Sequence, residues 1–264
     1  MNINDKLVFN YKFFEHAYEY KPDSKFLPLL IKLYKNKLFS LALLVIEKIF
    51  TFLLCLRIPI YSDLILAIVS SFPGLPRMFG CYLRALYYKG KLELLEPNVI
   101  IEQGATISNP QNVCLHEFSF IDKYVIIAAN SAKIGRRVHI APFVIVTGGG
   151  EFIAEDYAGI ASGCKIITAT ESLKPGTRSS GPMVSKSQRD IIRGFVHIKK
   201  DAFIAVGVTI LTNTTIEEGV VLAANVVVSG KTKEWNFYSI QDSQNKTIRS
   251  KTLRKRKKTE LESN

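Results

Sequence analysis

Four histidines and four cysteines are the residues of this chain whose types could carry acid–base, metal or nucleophilic chemistry, and their spacing decides between those uses. Imidazole is the side chain suited to acid–base work near neutral pH, which makes His139 and then His197 the candidates, with His116 in a turn and His16 in the N-terminal segment incidental. His139, in RVHIAPFVIVTGGG, and His197, in GFVHI, stand directly before Ile140 and Ile198. His116, His139 and His197 lie 23 and 58 residues apart, without the repeated interval that would aim three imidazoles at one ion, so no metal site is expected. Cys55, Cys81, Cys114 and Cys164 contain no CxxC pair and read as neither a zinc site nor a disulfide framework, which fits a reducing compartment.

The chain has 264 residues and a net charge of +12, with 47% hydrophobic and 22% charged residues, a composition that excludes wholesale disorder. Eight of the surplus positive charges fall in KTIRSKTLRKRKK, Lys246 to Lys258, which has no acid. Residues 1–92 form a greasy N-terminal segment with uncharged runs Leu38 to Ile46, Ile49 to Leu56 and Leu64 to Pro76. The longest run has 13 residues, short of the roughly 18 that a spanning helix needs. One or two helices with a wide apolar face are therefore expected, packed on the next domain or lying in the interface of an anionic membrane. The N-terminus lacks the pattern of a signal peptide, so the expected address is the cytoplasm, with attachment to the inner face of the membrane as the peripheral option.

From residue 198 one apolar residue recurs every sixth position: Ile198, Ile204, Ile210, Ile216, Leu222 and Val228. Small or β-branched residues accompany them at Ala202, Val208, Thr214, Val220 and Val226. The same interval appears at Ile101, Ile107 and Val113, at Ile134, Ile140 and Val146, and at Ala154, Ile160 and Ile166, with phase slips near Asn130 and at Gly148 to Gly150. Period six is neither helical nor that of a half-buried strand. A unit so short must stack on copies of itself, and three hexads per turn make a triangular parallel β-helix with the large aliphatics inside. His139 and His197, each one residue before an inward position, then point outward.

Residues 98 to 230 resemble the hexapeptide-repeat acyltransferases, whose fold is a left-handed parallel β-helix. The expected class is therefore mainly β: an N-terminal α-helical segment, the left-handed β-helix over 93–230, and a basic C-terminal tail over 231–264 suited to anionic lipid, with no nucleic acid expected. Between Ile166 and Ile198 the period fails, and Gly, Pro and Ser mark an excursion loop over 168–195. In the resembling family such a loop reaches over a cleft between neighbours of a homotrimer. The string IITATESL is similar to the segment that ends in the catalytic histidine of galactoside and maltose O-acetyltransferases, and Glu171 stands at the matching position. The resemblance implies that Glu171 is the general base or orients the acceptor, with His139 as the base that it replaces or assists. Thr168, Thr170 and Arg193 are the acceptor-binding candidates; Lys174, Arg178, Lys186 and Arg189 make the same loop basic.

The resemblance further implies acetyl-CoA as acyl donor, lying along the C-terminal coils at the small residues Ala205, Gly207, Ala223 and Ala224. Phe203 replaces the family's usual tryptophan, and IQDSQNK, Ile240 to Lys246, replaces its GNPAK-like ending. The implied function is O-acylation of a sugar hydroxyl in a surface polysaccharide or lipopolysaccharide precursor. Two alternatives stay open: a β-helical scaffold or sugar-binding module without catalysis, and an N-acyltransferase acting on an amino sugar nucleotide.

Overall fold

The computed structural model describes residues 3–56, 59–71, 77–172, 174, 178, 183–241 and 247–252. The hexads fold as the period demands. Three six-rung faces of parallel strands form, and the chain visits them in the fixed order A, B, C. Face A contains Leu94–Leu95, Val113–Leu115, Ser131–Ile134, Glu151–Ala154, Phe195–Ile198 and Thr214–Ile216. Face B is built on Ile100–Ile101, Phe120–Ile121, His139–Ile140, Gly159–Ile160, Phe203–Ile204 and Val221–Leu222. Face C runs from Thr106–Ile107 to Val227–Val228.

Register turns the period into columns. Ile101, Ile121, Ile140, Ile160, Ile204 and Leu222 pair rung to rung along face B, all buried. The residue two before each inward position is buried as well, and Cys164, Ala202, Val208 and Val226 are such corner residues. At the fourth rung of face A the sizes exchange: Phe152 takes the corner and Ala154 the inward place, which conserves core volume. The early phase differs from the sequence reading. Val113 is a corner residue and Leu115 is inward, in register with Ile134, because the 3-10 turn Pro110–Asn112 inserts a slip that the period alone conceals.

Gly148 to Gly150 mark the root of the excursion. A Cβ on Gly150 would collide with the carbonyl oxygens of Gly194 and Thr168, so a side chain there would push both ends of the loop off the prism. The rungs on either side of the loop pair directly, Ile160 with Ile204 and Ile166 with Ile210, so the prism runs on unbroken.

Among the described residues the N-terminal segment holds five α-helices, α1 Tyr11–Tyr20, α2 Leu27–Lys35, α3 Lys37–Leu54, α4 Pro59–Ser71 and α5 Arg77–Lys89, the last four where the apolar runs suggested one or two. Asn36 separates α2 from α3, and its side chain accepts the N–H groups of Leu38 and Phe39 as an N-cap. Helix α5 covers the open end of the prism. Arg84 Nε donates to the Ile101 carbonyl at 2.7 Å, and its guanidinium lies 3.8 Å from the Glu102 carboxylate, both side chains buried. Asn10 and Asn98 bond reciprocally at 3.0 and 3.1 Å and tie the start of the chain to the first corner. At the other end the fold passes the expected limit of residue 230. Asn236–Gln241 adds to face B, with Val221 paired to Phe237, and then pairs antiparallel with Thr247–Thr252. Most of the segment Ile240 to Lys246, and the basic tail past Thr252, lie outside the described residues.

Candidate active site

Face B sets the first catalytic candidate. The outward residues along its rungs include Phe120, His139, Gly159 and Phe203. The His139 ring stacks on Phe120 with centroids 4.9 Å apart. Its Nε2 lies 3.3 Å from Asp122 Oδ2, one rung back at the B–C edge. A carboxylate on one ring nitrogen fixes the tautomer and leaves Nδ1 with a lone pair, the arrangement that a general base requires. On the next rung Gly159 offers no side chain. A Cβ there would stand 3.3 Å from the Phe203 ring, so Phe203 lies over the glycine. His139 is about half exposed, with its side chain 49% accessible.

The excursion is an antiparallel hairpin, Ala169–Glu171 against Ile191–Arg193. Thr168, at its root, is wholly buried. Its hydroxyl donates to the Thr147 carbonyl at 2.8 Å and accepts the Gly150 N–H at 2.9 Å. It has no surface for a substrate, which corrects its assignment as an acceptor contact; it fastens the loop. Thr170 and Arg193 are exposed. Glu171 Oε1 accepts a hydrogen bond from Arg189 Nη2 at 3.1 Å, while Glu171 Oε2 and Arg189 Nε are buried without partners among the described residues. A carboxylate held by a guanidinium is better suited to fixing the loop or an acceptor than to removing a proton. Lys174 likewise meets Asp190 at 3.2 Å, so part of the loop's positive charge is matched within the loop. The hairpin leaves at the C–A edge, whereas His139 projects from face B, across the prism. A single chain does not bring His139 and Glu171 together.

The coenzyme candidates share the B–C edge with Asp122. Its later corners read Ala161, Ser162, Gly163, then Ala205, Val206, Gly207, then Ala223, Ala224, Asn225. Gly207 and Asn225 donate their N–H groups to the carbonyls of Ser162 and Val206 one rung back. The N–H groups of Ser162, Val206 and Ala224 have no backbone acceptor among the described residues. The edge therefore offers donors beside small side chains, suited to an extended amide-bearing arm. Gly207 has φ 72°, and a Cβ on it would collide with Asn225 Oδ1. At about 4.8 Å per rung, Ala205 and Ala223 stand roughly 10 and 14 Å along the axis from His139. Cys164, at the same edge, is buried, its thiol donates to the Ala205 carbonyl at 3.1 Å, and burial pushes its pKa up; it is no nucleophile.

The A–B edge carries a feature that sequence reasoning passed over. A groove of about 900 Å³ is lined by His116, Lys133, Gly135, Arg136, Glu155 and His197, among others. His116 Nδ1 meets Glu96 at 3.2 Å and His197 Nε2 meets Glu155 at 2.6 Å. A partner near one helical turn of the prism away, 20 residues for Glu96 and His116, was the available signal. His16 pairs with Glu19 at 3.3 Å within the helical segment.

No protein-family model matches the chain, and no curated protein does. Among solved structures it is similar to a single-site mutant of AntD, an N-acyltransferase from Bacillus cereus, in complex with dTDP and coenzyme A. The two are 26% identical over 73% of this chain and 96% of that one, with a TM-score of 0.59. A second AntD mutant, in complex with dTDP-4-amino-4,6-dideoxyglucose and coenzyme A, is 27% identical over 66% of this chain and 90% of that one, with a TM-score of 0.58. A hexapeptide-repeat acetyltransferase from Vibrio cholerae O1 biovar eltor, complexed with acetyl coenzyme A, is 17% identical over 72% and 83%, with a TM-score of 0.49. In repeat, register and fold, the chain is a parallel β-helix similar to that of the acyltransferase AntD.

Proposed function

We propose that this protein is an acyl-CoA-dependent acyltransferase that modifies a sugar, with acetyl-CoA as donor and a hydroxyl of a surface polysaccharide or lipopolysaccharide precursor as acceptor. The observation that carries the reading is the His139–Asp122 pair on the same edge as the small-residue corners. Asp122 accepts a hydrogen bond from the Nε2–H group and orients the ring. His139 Nδ1 takes the hydroxyl proton as the oxygen attacks the thioester carbonyl carbon. The tetrahedral intermediate collapses with cleavage of the C–S bond, and the coenzyme thiolate recovers the proton from the imidazolium. Free N–H groups at Ser162, Val206 and Ala224 would hold the coenzyme arm.

The site is completed by a second protomer in this reading. Tyr124, Ile126, Phe143, Ile145, Phe203 and Val227 are exposed on face C, face B and the edge between them, a run of apolar surface that a homotrimer would cover. The excursion hairpin of one copy would then meet face B of the next, bringing Glu171, Thr170 and Arg193 to the acceptor.

One observation favours a second reading. AntD is an N-acyltransferase seen with an amino sugar nucleotide, so an amine acceptor is the alternative to a hydroxyl. The purified full chain should bind acetyl-CoA saturably and release coenzyme thiol when given the right acceptor. Assays with hydroxyl-bearing glycan precursors and with amino sugar nucleotides, read by product mass, distinguish the two. Absence of saturable acetyl-CoA binding would leave only the non-catalytic scaffold.

A further inference from the structure

Helix α3 has the polarity of a water-facing helix reversed. Its buried side carries two polar groups, Ser40 and Glu47. Glu47 accepts the Val8 N–H at 3.0 Å and the Tyr82 hydroxyl at 3.0 Å, and it faces the Lys89 ammonium at 3.3 Å. Burial pushes the Glu47 carboxyl above the usual range, an effect that Lys89 opposes. The outward side is entirely apolar: Leu38, Leu41, Val45, Ile49 and Phe52 are all exposed, Leu38 by 79%. Placed at 100° per residue, these and Ala42, Ile46, Phe50 and Leu53 fill about half the circumference without one charge.

Lys37 and Lys48 fall on the same margin of that arc, about 16 Å apart along the axis, with Lys32 on the preceding helix; none has an ion-pair partner among the described residues. The chemistry of this border selects the occupant. A second copy docking through the same arc would bring no acid to meet these lysines, since the arc contains none. An anionic bilayer offers hydrocarbon to the arc and phosphate to its border. The helix has 18 residues, about 27 Å, and no described helix is long and apolar enough to cross a membrane. Glu47, bonded to Val8 and Tyr82, fastens α3 lengthwise to the helical unit with its apolar arc outward. Beside it a cavity of about 830 Å³, lined by Phe13, Phe14, Phe26, Leu30, Leu43 and Phe79 among others, adds apolar room on the helical unit.

We propose that α3 is a membrane-interface helix that seats the enzyme on an anionic lipid surface. The inference stands independently of the acyl-transfer reading. The full chain is sedimented with phosphatidylcholine vesicles, with and without phosphatidylglycerol. Binding is expected to the anionic vesicles and to weaken at least about tenfold in Leu38→Gln/Ile49→Gln. Lys37→Gln/Lys48→Gln should remove the preference for phosphatidylglycerol. Both pairs are exposed, so melting temperature and acetyl-CoA binding should be unchanged, which keeps this test separate from the catalytic one. Vesicle binding that ignores both variant pairs would place the lipid contact elsewhere and overturn the proposal. Failure to bind vesicles at all would do the same, and a fall in particle mass for Leu38→Gln/Ile49→Gln would then assign the face to a second copy.

Discussion

Two edges of one prism share a backbone and differ in everything attached to it. The A–B edge pairs its charges internally: Glu96 with His116, Asp156 with Arg136, Glu155 with His197, and Glu217 with Lys199 and Lys231. The B–C edge has few charges, and its two acids each hold a partner, Glu102 with Arg84 at the capped end and Asp122 with His139 on face B. Past Phe143 the later corners are small residues, and the N–H groups of Ser162, Val206 and Ala224 have no backbone acceptor among the described residues. An edge whose charges close on one another is a stabilising seam. One left with backbone donors and little side chain is available to a ligand, and that contrast locates the proposed chemistry on the B–C edge.

The largest expected effect tests this assignment directly. His139→Ala should lower turnover by about 10²–10⁴-fold, with acetyl-CoA binding retained. His197→Ala, on the other edge, should leave turnover close to wild type. Steady-state kinetics on both variants with the same acceptor decide it, and the reverse pattern would move the active site into the A–B groove.

Next in size is the capped end. Arg84→Leu leaves Glu102 buried with no guanidinium and should cost about 3–5 kcal/mol in urea unfolding. Gly207→Ala must accept a left-handed φ and a clash with Asn225; about 1–3 kcal/mol of stability should be lost, and KM for acetyl-CoA should rise more than kcat falls. A smaller, pH-dependent effect belongs to the A–B seam. The hydrogen bond from Lys199, then Lys231, hold the Glu217 carboxyl below the usual carboxylate range. Its stabilising contribution is therefore complete above the ordinary carboxylate range and is lost as pH falls through the depressed value. Glu217→Gln should flatten that acid-side slope in thermal melts. The mildest change is Gly159→Ala, which asks the Phe203 ring to move by a few tenths of an ångström. A modest fall in turnover without loss of stability would sharpen the role of the open space beside His139.

The columns from Ile198 to Val228 were legible as sequence, because an unbroken period of six admits one regular solution. The slip at Pro110–Asn112 was not: the interval from Ile107 to Val113 is still six although the inward residue has become Leu115. Outward placement of His139 and His197 followed from their inward neighbours, but their carboxylate partners come from other rungs, and pairing across rungs requires the register. Arg189 reached Glu171 through a hairpin whose antiparallel pairing no period announces. The five helices were blurred by uniform greasiness, since Asn36 is the sole clear punctuation between α2 and α3.

The excursion departs after the fourth rung and returns to the fifth, and these rungs bond to each other as though nothing intervened. Its length and composition are thus free of the ladder, since lengthening such a detour costs only a slowly growing closure entropy. Change confined to that one stretch leaves the rungs on either side paired, so under the proposed reading acceptor contacts can vary while the B–C edge keeps its register.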